Sequence, residues 1–201
     1  SGIRPEIVVR ALSRDHVRAI CRPVIVGDAS VIARAARQLG SPAGIHSIDR
    51  VEEALFDHST LDVIDLACVD LSRLQVGQVD AMSGDAAFRS VRQLIDLARA
   101  GEVDATVTAP IHKEALHLAG HHYPGHTEIF GKFTGTTDFT MMLAVGSLRV
   151  VHVSTHVSLR QACEAVTRSR VLAVIRLAPE AGVGLGMGRP PNGVGGPPPP
   201  R

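Results

Sequence analysis

Between Pro23 and Leu177 short aliphatic runs alternate with stretches of helical spacing, and this alternation constrains the fold more than any other feature. Pro23-Val-Ile-Val-Gly27 is an apolar run closed by glycine, which predicts a buried strand. Asp28-Ala-Ser30 then caps a helix to about Leu39, with Val31, Ile32, Ala35 and Leu39 at helical spacing. Residues 61–66 (L-D-V-I-D-L) read as a second strand. Ser83-Gly84-Asp85 precedes a helix to about Ala100, where Ala87, Val91, Leu94, Ile95 and Leu97 lie mostly on one stripe. Gly101 supplies the left-handed residue that commonly ends a helix. Residues 103–108 (V-D-A-T-V-T) read as a strand, followed by Ala109-Pro110 and a helix from Ile111 to about Leu118. Residues 139–145 and 148–153 read as strands joined by a Gly146-Ser147 hairpin turn. Val157 or Ser158 opens a further helix, and Thr167 caps a last one to about Leu177. Such alternation favours an α/β fold with a largely parallel sheet.

Composition narrows the function. Twenty-one basic against twenty acidic side chains leave a net charge of +1, so no basic field points to nucleic acid. Aromatic residues are 3% of the chain, too few for the stacking platforms of a single-strand binder. Cys21, Cys68 and Cys163 are odd in number and far apart, which argues against a disulfide framework or a cysteine zinc site and favours a reducing cytoplasm. No run of apolar residues is long enough to predict a membrane span.

Histidine carries the chemical signal. Most of the ten histidines fall between His112 and His156, near Lys113, Glu114, Thr127 and Glu128. Gly125-His126-Thr127-Glu128 follows Tyr123-Pro124 and opens a helix, where free N–H groups, a hydroxyl and an imidazole can cradle an anion. The same residues also serve as a plain helix cap through Thr127. Strand periodicity puts His152 and His156 on one face, with His156 at the strand's end. One imidazole is not a metal site, since zinc-type sites need three or four ligands. His121-His122 reads as a polar loop, and His16, His46 and His58, without convergent partners, read as surface residues. G-x-G-x-x-G, H-E-x-x-H and G-x-S-x-G are all absent, and residues 125–132 fail as a P-loop because Phe133 follows Lys132.

Taken in order, Thr108-Ala-Pro-Ile-His-Lys113, Ala119-Gly120, Pro124-Gly-His-Thr-Glu128, Met141-Met-Leu143 and Ser154-Thr-His156 with Leu159-Arg160 resemble the 4-hydroxythreonine-4-phosphate dehydrogenase family of vitamin B6 (pyridoxine) synthesis. The H-K-E-A-L and Y-P-G-H-T-E wording is closer to its 4-phospho-D-threonate and 4-phospho-D-erythronate dehydrogenase branch. The opening S-G-I-R-P-E-I is similar to the family's A-G-I-G-P-E-I. The resemblance implies an isocitrate/isopropylmalate dehydrogenase-like three-layer α/β fold, a homodimer, and NAD or NADP bound without the usual glycine fingerprint. It implies oxidation of the C3 hydroxyl of a phosphorylated four-carbon acid, then decarboxylation, aided by a divalent metal (zinc, magnesium or cobalt). Carried over by position, His126 and Thr127 match the family's substrate-binding pair, and His156 matches the first of three metal-binding histidines. His112 and Lys113 match a family segment without an assigned role.

The chain also departs from that pattern. Arg4 stands where the family has glycine, and the strand that precedes this motif has no counterpart before Ser1. Past Leu177 the family continues to an Asn-Pro-His-Ala-Gly segment with the second metal histidine; here residues 181–201 hold six of the twelve prolines and seven of the nineteen glycines. The expectation is therefore a family chain truncated at both ends. Residues 1–180 would form an incomplete dehydrogenase domain lacking much of the second lobe, and 181–201 a disordered or frame-shifted tail. Turnover is expected to be impaired; the alternatives are a non-catalytic phosphate-ligand binding module and a non-functional fragment.

Overall fold

Strand β3 (Thr60–Asp65) is the centre of a three-stranded parallel sheet, flanked by β1 (Ile25–Gly27) and β2 (Gly44–Ile48) in the order β1-β3-β2. A computed structural model describes residues 4–155 and 157–185. The register pairs Ile25 with Val63 and Ile45 with Leu61. Leu61, Val63 and Ile64 are all buried, as a parallel strand covered on both faces requires. One face packs Leu61, Val63 and Ile25 against Val9 of α1 (Arg4–Leu12) and Ile32, Ala35 and Ala36 of α3 (Ala29–Gln38). On the other face, Ile48 and Ile64 meet Leu97 of α4 (Ala81–Ala100). Helix, sheet and helix thus form the three layers expected, in the first of two units, Ser1–Thr134.

Local chemistry explains most boundaries. Asp28 caps α3, accepting from the N–H groups of Ser30 and Val31, while its other oxygen accepts from Val69 N at 2.9 Å. Asp65 accepts from Ala29 N at 3.0 Å and Ala67 N at 2.9 Å, tying the ends of β1 and β3 together. Between α1 and the sheet, the single-turn α2 (Asp15–Arg18) carries Arg18, whose guanidinium donates to the carbonyls of Leu12, Asp57 and Thr60, each at 2.7 Å. Helix α4 starts at Ala81 under an Asp80 cap, ahead of the Ser83-Gly84-Asp85 start that the sequence predicts, and ends on Gly101 at φ 74°. Burial pushes the Asp80 carboxyl up, but the Ser83 hydroxyl and N–H outweigh it and hold the group below its ordinary range.

Helices α1 and α2 and strand β2 have no counterpart in the sequence reading, and one expectation needs correction. Residues 103–108 form no strand: among the described residues nothing pairs with them, and Val107 is 90% exposed. β-Branched composition supplies propensity, but a strand exists only where a ladder partner is offered. Helices α5 (Lys113–Leu118) and α6 (His126–Thr134) follow as expected.

The second unit, Gly135–Arg201, opens with the antiparallel hairpin β4 (Met142–Val145) and β5 (Leu148–Val151), turned at Gly146 with φ 54°. Ser158 caps α7 (Leu159–Ala165) in a reciprocal capping box with Gln161, and Thr167 caps α8 (Arg168–Gly184). Helix α8 contains Pro179 and runs past the expected stop at Leu177 into the Pro/Gly-rich stretch. Residues 186–201 of the expected tail lie outside the described residues. Arg170 of α8 donates to Val153 O at 3.1 Å and Phe139 O at 2.9 Å, one bond to the segment on each side of the hairpin. Lysine lacks the rigid fork whose two nitrogens reach the two carbonyls separately. Arg170→Lys is therefore expected to speed amide hydrogen exchange in residues 142–151 about tenfold, corresponding to the loss of a charge-assisted bond worth about 1.5 kcal/mol. Among the described residues no helix is long and apolar enough to cross a membrane.

Candidate substrate-binding site

Helix α4 is the spine of the region that holds His126 and Thr127. Its buried Val91 and Ile95 meet Leu116 of α5 and Ile129 of α6, with Phe88, Ile111, Tyr123, Phe130 and Phe133 packed around them. Helix α5 crosses α4 at Gly84, where a Cβ would stand only 1.9 Å from the Ala115 carbonyl oxygen. Glycine is required there by close backbone approach. His112 caps α5, its Nδ1 accepting from Ala115 N at 3.4 Å. The helix ends at Ala119 and Gly120, the latter at φ 83°.

The short link to α6 is fastened at alternate residues. The His121 ring stacks on Phe88 with centroids 3.7 Å apart and planes 14° from parallel. Its Nε2 lies 2.9 Å from Asp85 Oδ1, and Asp85 Oδ2 is 2.7 Å from Arg89 Nε. The Tyr123 ring also stacks on Phe88, at 5.9 Å. At the far end of α6, Phe133 meets Phe88 edge-on, the Arg92 guanidinium lies 3.9 Å over the Phe133 ring, and Arg99 donates to Phe133 O at 3.2 Å.

These contacts set where α6 begins. His126 and Thr127, both half-buried, occupy its first two positions, where helix N–H groups lack intrahelical acceptors and the helix dipole favours an anion. Glu128 shares this first turn, and a Cβ on Gly125 would come within 3.3 Å of its carboxylate. The turn thus offers donors to an anion while carrying one acidic group of its own.

The remaining histidines separate. His156 lies outside the described residues. His117 and His122 are exposed with ring centroids 5.3 Å apart, and Lys113 is exposed. His16 and His58 are exposed, as expected. His46 and His121 correct the sequence reading. His46 Nδ1 lies 2.8 Å from Oδ1 of the buried Asp62, and His121 is pinned between Phe88 and Asp85. No motif marks Asp85 or Phe88; the available signal was Asp85 and Arg89 at four-residue helical spacing. Among the described residues no three His, Cys, Asp or Glu side chains converge to hold a metal ion. These residues alone therefore do not fit the divalent metal that the resemblance implies.

Comparison with known proteins agrees with the fold. A family model described as pyridoxal phosphate biosynthetic protein PdxA matches residues 19–196. The D-threonate 4-phosphate dehydrogenase of Cupriavidus necator is 41% identical over 196 residues, which is 98% of this chain and 59% of that protein. The crystal structure of a 4-hydroxythreonine-4-phosphate dehydrogenase from Burkholderia phymatum superposes with a TM-score of 0.84 at 38% identity, covering 90% of this chain and 55% of that one. The Klebsiella pneumoniae 4-hydroxythreonine-4-phosphate dehydrogenase gives a TM-score of 0.82 at 41% identity, covering 88% of this chain and 54% of that one. The chain spans little more than half the length of the relatives it matches.

Proposed function

The chain belongs to the PdxA family of pyridoxal phosphate biosynthetic proteins, and on that premise we propose that it binds D-threonate 4-phosphate through His126 and Thr127. The observation that carries this reading is the seating of the family's His-Thr pair at the start of α6, on a link fastened to α4. The helix end attracts an anionic group, the Thr127 hydroxyl can donate or accept, and the imidazole can hold or pass a proton near neutral pH. Threonate is preferred to hydroxythreonine because of the H-K-E-A-L and Y-P-G-H-T-E segments; identity does not separate the two, being 41% to both the Cupriavidus necator and the Klebsiella pneumoniae enzymes.

In the complete reaction the C3–H bond of the substrate breaks, its hydride leaves and the C3 hydroxyl loses a proton. The resulting β-keto acid releases carbon dioxide. A nicotinamide cofactor, NAD or NADP, is the acceptor that supplies this redox chemistry. The part this chain takes is to bind and orient the phosphorylated acid. A homodimer and a cytoplasmic location belong to the same reading, as does His156 as a metal ligand.

A second reading, a phosphate-ligand binding module, keeps the His126-Thr127 turn at the start of α6 without the redox step. Calorimetry with D-threonate 4-phosphate, run with and without NAD and magnesium or zinc alongside an NADH assay, separates the two: affinity that rises with NAD and metal supports the dehydrogenase reading, and affinity that does not supports the module. Binding with negligible NADH is expected, and His126→Ala is expected to weaken binding at least tenfold, about 1.4 kcal/mol. Robust NADH formation removes the binding-module reading. Unchanged affinity in His126→Ala removes the site.

A further inference from the structure

The link between α5 and α6 is held by an interaction that no motif marks, and its position gives it a purpose. Seven residues, 119–125, separate the end of α5 from His126. Within them His121 and Tyr123 both lay their rings on Phe88, and the His121 ring adds a side-chain bond to Asp85. Asp85 is in turn oriented by Arg89, so three side chains form one line, Arg89–Asp85–His121, running from α4 into the link. After Tyr123 come Pro124, whose ring fixes φ, and Gly125, whose carbonyl accepts from Ile129 N at 3.4 Å in the first turn of α6. Little slack remains between the pinned ring and His126. A displacement of His121 therefore reaches the first turn of α6.

We propose that His121, oriented by Asp85 and stacked on Phe88, is a positioning residue for the His126-Thr127 site, setting its affinity for the phosphorylated acid. His121 does not touch the ligand; it fixes where α6 starts. This rests on the reading of His126 and Thr127 as substrate-binding residues. Geometry favours positioning over a purely stabilising role: the core beneath already fixes the body of α6 through Ile129 and Phe133, whereas the His121 bond lies on the N-terminal side, where the ligand groups stand.

The test is calorimetric titration of the full 201-residue chain with D-threonate 4-phosphate, with thermal unfolding measured on each variant. His121→Ala is expected to weaken binding at least fivefold. His121→Gln, whose amide nitrogen can stand where Nε2 stands and whose flat end can lie on Phe88, is expected to recover affinity to within twofold of the parent. His46→Ala breaks the other histidine–aspartate pair, far from this link in sequence, and is expected to lower Tm with affinity unchanged. If His126→Ala abolishes binding while His121→Ala binds like the parent, the positioning role is overturned and the site stands. If His126→Ala binds like the parent, the site and the positioning role fall together. A loss in His121→Ala that glutamine does not recover, and that His46→Ala reproduces in proportion to its fall in Tm, reduces His121 to a structural contact. Should His121→Ala fail to fold, Asp85→Ala takes its place with the same fivefold expectation, since it removes the acceptor and leaves the ring free to stack.

Discussion

Gly84→Ala is expected to destabilise the first unit by about 3 kcal/mol or more, the upper end of the cost of overpacking a core. The sign opposes what a helix interior normally gives, since alanine is about 1 kcal/mol better than glycine there by propensity. Position decides otherwise. The added Cβ would stand 1.9 Å from Ala115 O, 2.3 Å from Ala115 C and 2.9 Å from Leu116 N. All three are backbone atoms, so no rotamer change relieves the clash; α5 must move off α4. Such movement opens the contacts among Val91, Ile95, Leu116 and Ile129, and displaces the link that leads to His126. Urea unfolding of the parent and variant measures the effect. Ala115→Gly should give no rescue, because the clash is with its carbonyl and not its methyl group. A Gly84→Ala variant as stable as the parent would show that α4 and α5 do not approach this closely.

Asp62→Ala is expected to cost about 3 kcal/mol, since it leaves three donors without their acceptor. Asp62 is only 3% exposed, and its carboxylate accepts from Leu55 N at 3.1 Å, Phe56 N at 2.9 Å and His46 Nδ1 at 2.8 Å. Phe56 has φ 53°, a left-handed conformation that costs a bulky residue energy and that the Asp62 bond helps to hold. Burial pushes the Asp62 carboxyl up, but the hydrogen bonds from His46 and from the N–H groups of Phe56 and Leu55 outweigh it, holding the group below its ordinary value of 3.8. The sign of the pH dependence follows. A carboxyl lowered in the folded state adds stability above its unfolded pKa and loses that contribution as pH falls through the folded value. Urea midpoints from pH 7 down to pH 3 should therefore show the gap between the parent and Asp62→Asn narrowing below about pH 4. A gap that stays constant across that range would remove the ionised carboxylate from the account.

What the sequence made legible was local. Asp28, Ser158 and Thr167 announce helix starts because each needs only an oxygen and N–H groups two or three residues on. Gly101 and Gly146 announce ends and turns through their own backbone freedom. His126 and Thr127 are proposed because they sit in a written motif. The features that sequence reading missed depend on distant partners. Strand β2 carries His46 and Ser47, which look like loop residues until Asp62 and Asp65 are placed beside them. Residues 103–108 have the composition of a strand and no described partner. Asp85 and His121 lie 36 positions apart, and only the crossing of α5 over α4 at Gly84 brings them together.

The strand order β1-β3-β2 also dictates when this sheet can exist during synthesis. The outer strands are made first and do not pair with each other; both wait for the one between them. Until Asp65 has left the ribosome, β1 and β2 have aliphatic faces and open edges but no ladder, the condition in which nascent chains associate with one another. Asp28 can cap α3 as soon as that helix forms, yet its second oxygen stays unfilled until Val69 arrives. A pause in synthesis while Thr60–Asp65 is still inside the ribosome would therefore prolong the most exposed stage of the first unit, whereas a pause once Val69 has emerged would find its sheet already closed.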